Sequence, residues 1–201
     1  MRFRPAPVAL AMLALTAGVA CSSGSKGQDV AARSPAGGGV VPNPPACVFT
    51  GTAEKKSAND SAGPMQLSDV RVGSHGCYER VTFELGPRAG QPDGPPGYLV
   101  EYRPGPIRED PSDRPIAMKG TAFLVVRLSA SGFDLSKPGA PATYKGPSVI
   151  ETAGTTAIQQ VHQAGDFEGV NLWVIGLDKE RPFSVTTEGS PTRVIVDVGT
   201  G

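Results

Sequence analysis

The segment ERVTFELG, Glu79–Gly86, returns near the end of the chain as TRVIVDVG, Thr192–Gly199. In both, arginine stands second, valine third, an acid sixth and glycine eighth. Alternation sends Val81, Phe83 and Leu85 to one face of the first segment and Arg80, Thr82 and Glu84 to the other. That is the pattern of a strand with one buried face. Within either strand the arginine and the acid stand about 13 Å apart, too far to touch. Paired as antiparallel neighbours, the two strands would set Arg80 against Asp197 and Arg193 against Glu84. The other reading leaves one or both arginines available for a carboxylate ligand.

Working outward, Tyr98–Arg103 alternates in the same way, with Tyr98, Val100 and Tyr102 on one side. Phe123–Leu128 and Leu172–Leu177 are apolar on both faces, as strands in the middle of a sheet are. Between these segments lie Pro- and Gly-rich stretches at Gly86–Gly97, Pro104–Pro115 and Pro138–Pro147, read as turns or longer connections. The one candidate helix is Thr156–Gln163, whose Ile158 and Val161 also fit an imperfect strand. The expected fold is all-β, a β-sandwich of two mainly antiparallel sheets with at most one short helix.

Among 201 residues, 26 glycines and 20 prolines fit short strands and many reversals in a single domain. Formal charge is zero, and loss of Arg2 and Arg4 with a cleaved leader leaves two more acids than bases. Such a balance lacks the clustered cations that nucleic acid requires, and that class is set aside.

The amino terminus has a basic start at Arg2 and Arg4, an apolar run from Val8 to Val19, and small residues Gly18 and Ala20 before Cys21. This is an export signal over residues 1–20, too short in its apolar run to remain as a membrane span. Cys21 followed by Ser22, Ser23 and Gly24 resembles a bacterial lipoprotein signal, which implies diacylglycerol on Cys21 and a place on the outer face of the cytoplasmic membrane. Gly18 stands where that signal usually carries an aliphatic residue. Ordinary signal-peptidase cleavage, giving a secreted protein, is the alternative. Residues 21–46 are rich in Gly, Ser, Ala and Pro and read as a flexible linker, with a root-mean-square reach of about 25–30 Å.

The folded domain is expected over 47–201. Cys47 and Cys77, 30 positions apart in an oxidising compartment, are expected to pair. A loop of that size corresponds to about 3–4 kcal/mol in the chain-entropy treatment.

As an ordered set, five features resemble the AMIN-like domain of actinobacterial secreted proteins. They are the Arg80–Leu85 strand, Pro96-Gly97-Tyr98 with Glu101-Tyr102, the turn Asp166–Gly169, Trp173 with Ile175-Gly176-Leu177, and the terminal Pro191–Gly199. The resemblance covers about Leu67 to Gly199. AMIN domains are β-sandwiches of cell-wall amidases and secretin-type envelope proteins, so it implies a wall-binding or envelope-localising module and no hydrolase.

A search for chemistry agrees. His75 and His162 lie in separate segments, and no nucleophile elbow, zinc-protease helix, P-loop or dinucleotide fingerprint occurs. No cofactor or metal is expected. His75 reads as an exposed turn residue and His162 as a surface residue. Glu109, Asp110 and Asp113, like Asp166 and Glu168, read as solvated loop acids. Trp173 reads as core.

The expected function is a membrane-tethered, non-enzymatic module that binds peptidoglycan. Arg80, Arg103 and Arg193 would meet carboxylates, and Tyr98 and Tyr102 would cover sugar faces. The alternative is a protein-interaction subunit that positions or regulates another envelope enzyme or secretion component.

Overall fold

The computed structural model describes residues 47–59, 63–88, 90 and 94–201, all within the compact unit Asn43–Gly201. The expected export signal over 1–20, Cys21 and the expected linker over 21–46 lie outside the described residues. Ten strands follow one another: β1 Lys56–Ala58, β2 Met65–His75, β3 Tyr78–Gly86, β4 Tyr98–Arg103, β5 Ala122–Ser131, β6 Val149–Glu151, β7 Ile158–Phe167, β8 Val170–Leu177, β9 Phe183–Glu188 and β10 Thr192–Gly199. No helix occurs among the described residues, so the fold is all-β.

The strands share one open, mixed sheet with the path β6-β7-β8-β5-β2-β3-β10-β9, and β4 adds to β5 and carries β1. Two antiparallel sectors make up this path. They are joined by a short parallel pairing, Met65 with Ala130 and Gln66 with Ser131. Val81, Phe83, Leu85, Val194, Val196 and Val198 from the β3–β10 sector share one buried cluster with Leu124, Val126, Trp173 and Ile175 from the β5–β8 sector. Phe83 meets Trp173 at 5.9 Å between ring centroids, so the alternation read from the sequence supplies a common core. Trp173 is fully buried and donates its Nε1–H to Asn171.

The expected helix at Thr156–Gln163 is instead the start of β7. Register shifts between Ile158 and Gln160 and between Gln163 and Gly165 break the period of two. A bulge of this kind brings Gln160 and Val161 inward together. The hairpin from β7 to β8 closes on Glu168 and Gly169, both at positive φ (50° and 78°). That geometry matches the right-handed twist of the flanking strands.

Residues 104–119 are more than a connection. Ile107, Ile116 and Met118 lie on Val125, Ala164, Leu172 and Val174, forming a second apolar cluster on the outer face of β5, β7 and β8. Asp110 N–H donates to Ala164, which fixes this strap to β7 at 2.7 Å. The strap passes so near the strands that a Cβ on Gly165 would come within 2.5 Å of the Asp110 carbonyl oxygen. A Cβ on Gly176 would collide with the Lys119 carbonyl oxygen. One sector therefore has its outer face covered, while the outer face of β2, β3, β10 and β9 carries the charged residues of the repeated motif.

Candidate functional site

That second face is built in rows by the strand register. Arg80 stands opposite Asp197, and Asp197 opposite Ser184. Arg193 stands between Glu84 and Glu188, and Glu84 opposite Asp69. Arg80 donates Nε–H to Asp197 Oδ1 at 2.7 Å and Nη2–H to Oδ2 at 2.9 Å, a bidentate pair, and Nη2 also reaches the Tyr78 hydroxyl at 3.4 Å. Arg193 lies 3.5 Å from Glu84 and 3.3 Å from Glu188, and Arg71 donates to Glu84 at 2.9 Å. The hydrogen bond from Arg71, joined by the charges of Arg71 and Arg193, holds the Glu84 carboxyl below its ordinary range. The bond to Asp197 raises Arg80 further above neutral pH. Ile195 lies between these rows, opposite Thr82 and Thr186, and is only 2 % exposed.

Both ion pairs foreseen from the repeat are therefore formed. The face carries Arg71, Arg80 and Arg193 against Asp69, Glu84, Glu188 and Asp197, and so is close to charge balance with a slight acidic excess.

At one end of this face the Cys47–Cys77 disulfide, with Cα atoms 5.1 Å apart, ties the incoming chain to the β2–β3 turn. From there residues 47–52 cross the strand ends. Phe49 packs where any side chain on Gly199 would stand, and Thr52 exchanges two backbone hydrogen bonds with Phe183. His75 stacks on Tyr78 with ring centroids 5.0 Å apart and planes 18° from parallel, and Phe49 leans on Tyr78 at 6.1 Å. The Arg80 guanidinium sits 5.1 Å from the Tyr78 ring centroid. A cavity of about 520 Å³ opens among Val48, Phe49, His75, Tyr78, Ser184 and Asp197. His75, exposed as expected, is thus a member of an aromatic group. At the opposite end a cavity of about 670 Å³ lies between Glu84, Glu188 and the prolines Pro87, Pro96 and Pro191.

The other candidates lie elsewhere. Arg103 is bound to Glu101 and borders a cavity of about 420 Å³ with Tyr102 and Lys179. The Tyr102 hydroxyl donates to the Arg181 carbonyl at 2.8 Å and accepts the Arg181 N–H at 2.9 Å. Both its bonding directions are used, and burial pushes its phenol up. Tyr98 leans against the core and borders a cavity of about 240 Å³ with Arg127. The five candidate side chains do not converge: Arg80 and Arg193 share the outer face of β3 and β10, whereas Tyr98 and Tyr102 lie together against the core and Arg103 stands apart.

His162, expected at the surface, is half-buried beneath the strap, with Nδ1 enclosed and without a hydrogen-bond partner. Burial lowers its pKa, with the Glu109 charge acting in the opposite direction. Of the loop acids, Glu109 binds Arg114 and Ser112, and Asp113 binds Arg108. Asp166 accepts the Gly132 N–H at 2.7 Å, and burial raises its carboxyl. Among the described residues no group of three or more His, Cys, Asp or Glu could hold a metal ion.

Sequence reasoning missed Glu79. It stands on the core face of β3, 1 % exposed, and accepts backbone N–H bonds from Thr156 (2.5 Å), Ala157 (3.0 Å) and Ile158 (2.7 Å). The signal was available, because extending the alternation of Val81, Phe83 and Leu85 back by one step puts this acid inside.

A family model for the AMIN-like domain matches residues 65–200. The chain belongs to the AMIN-like domain family. Curated proteins and solved structures yield no match. The matched AMIN-like span opens at the first residue of β2 and takes in β2 through β10, including the repeat and the strap. AMIN-like domains are non-catalytic modules associated with the cell wall. Cys47, Val48 and Phe49 fall outside the matched span.

Proposed function

We propose that this chain is a membrane-tethered, non-enzymatic module of the cell envelope that binds peptidoglycan through the outer face of β2, β3, β10 and β9. The carrying observation is that this face, in an AMIN-like domain, presents ordered guanidinium and carboxylate groups while the other sector's outer face lies under the strap. A lipid on Cys21 holds the domain on the outer face of the cytoplasmic membrane; without it the protein is secreted.

Retention of the full chain on purified peptidoglycan sacculi tests the binding. Labelling with a palmitate analogue tests the anchor: label should disappear in Cys21→Ala together with membrane association, and an unlabelled wild type removes the anchor.

The second reading is a protein-interaction subunit that positions another envelope enzyme or secretion component. Phe133, Leu135 and Phe167, large apolar side chains left exposed, favour it. Crosslinking in native membranes would then capture one recurrent protein partner while sacculi retain nothing.

A further inference from the structure

We infer that the cavity at the Cys47–Cys77 end is a subsite for an uncharged saccharide, a pyranose ring of the glycan strand, and that the peptide carboxylates of the wall are not what this face recognises. This inference rests on the wall-binding reading and assigns it an address.

The first argument is electrostatic. Arg80 and Arg193, the groups that would attract a free carboxylate, already hold Asp197, Glu84 and Glu188. A carboxylate ligand would have to displace a bidentate partner set in register by the strands, and would meet four acids against three arginines. A neutral ligand meets no such opposition.

The second argument is shape. A pyranose ring presents a face of C–H groups and a rim of hydroxyls. The cavity offers the matching surfaces: the His75–Tyr78 stack with Phe49 beside it, and Val48 left 77 % exposed at its wall. Around these apolar surfaces stand polar groups in fixed positions. Asp197 and Ser184 line the cavity, and Arg80 holds the Asp197 carboxylate through Nε and Nη2 from beside it. A carboxylate and a hydroxyl, the first held rigid by an ion pair, suit neighbouring hydroxyls on a sugar. At about 520 Å³ the space is of the size that small ligands occupy. Tyrosine suits such a place because its ring stacks while its hydroxyl stays wet.

The third argument is assembly. Phe49 and Val48 reach the cavity because the disulfide fixes Cys47 to the β2–β3 turn. They lie outside the residues that match the family, 65–200.

The test uses the full chain in mild detergent, titrated with oligomers of N-acetylglucosamine, the uncharged sugar of the glycan strand, and, separately, with free stem peptides. The oligomers should bind and free peptides should not. His75→Ala and Tyr78→Leu should each weaken glycan binding about tenfold, the scale of one aromatic contact. Added salt should change that binding little, since no net charge is exchanged. His75 makes no hydrogen bond among the described residues, so His75→Ala keeps the fold, which an unchanged melting temperature verifies. If sacculi retain the protein but both variants bind glycan like the wild type, or if only stem peptides bind, the subsite is refuted and the wall-binding reading stands. If sacculi retain nothing, both fall.

Discussion

Replacing Glu79 with alanine should remove a large part of this domain's stability. The carboxylate accepts the N–H groups of Thr156, Ala157 and Ile158 at the entry to β7. Thr156 is exposed and can turn to water; Ala157 and Ile158 are fully buried and cannot. A buried donor left without a partner costs about 1–3 kcal/mol, and the alanine also leaves space in the core. Two such donors and the vacated volume give about 3–4 kcal/mol, a large share of the roughly 5–15 kcal/mol typical of a domain. Urea unfolding followed by circular dichroism measures the total. Amide hydrogen exchange localises it, because protection at Ala157 and Ile158 should fall well below that of β2. A loss under about 1 kcal/mol, or unchanged protection at those two amides, would refute the reasoning.

Other perturbations separate the remaining features. Gly176→Ala should lift the strap off β8, costing about 1–3 kcal/mol and opening residues 104–119 to limited proteolysis; an unchanged digest contradicts the close approach. A double-mutant cycle on Arg80 and Asp197 should give a coupling of about 1 kcal/mol, and the same cycle on Arg193 and Glu84 less than half of that. The first pair is bidentate and partly buried, whereas the second is longer and shared. His162 carries a lowered pKa in the fold, so as pH falls the unfolded chain takes the proton first. Its contribution is therefore complete above its ordinary value of 6.5 and lost as pH drops through that value toward the folded one. Unfolding free energies of wild type and His162→Gln between about pH 7.5 and 5.5 should diverge, with the variant the flatter of the two.

The legibility of this chain varied with the regularity of its strands. The repeat alternates without interruption, so the faces of β3 and β10 could be read; that the two strands are antiparallel neighbours, which sets Arg80 on Asp197 and Arg193 on Glu84, is what the register adds. β5 and β8 showed as central strands because residues on both faces are apolar, one face meeting the core and the other the strap. The strap itself was hidden. Its Ile107, Ile116 and Met118 lie among prolines and charges with no period, and only the covered face of β8 implied that something lay over it. β7 was obscured by its bulges, which set Ile158 and Val161 three apart as a helix would. The tyrosines misled for another reason: in β4 the alternation that put Tyr98 and Tyr102 together put them against the core. Tyr78, the ring that stays at a surface cavity, opens β3 one position before the repeated motif begins.

The position of the disulfide has a mechanical consequence. Cys47, bound to Cys77, stands beside the cavity that the His75–Tyr78 stack lines. Tension between a membrane anchor and a wall strand held in that cavity would run from Cys47 through the sulfur bridge to Cys77, and leave one residue later at Tyr78. The ten-stranded sheet would hang beside this line of force and not within it. Swelling of the envelope would then load a single covalent link and its ligand contact, and the hydrogen-bonded ladders would be spared.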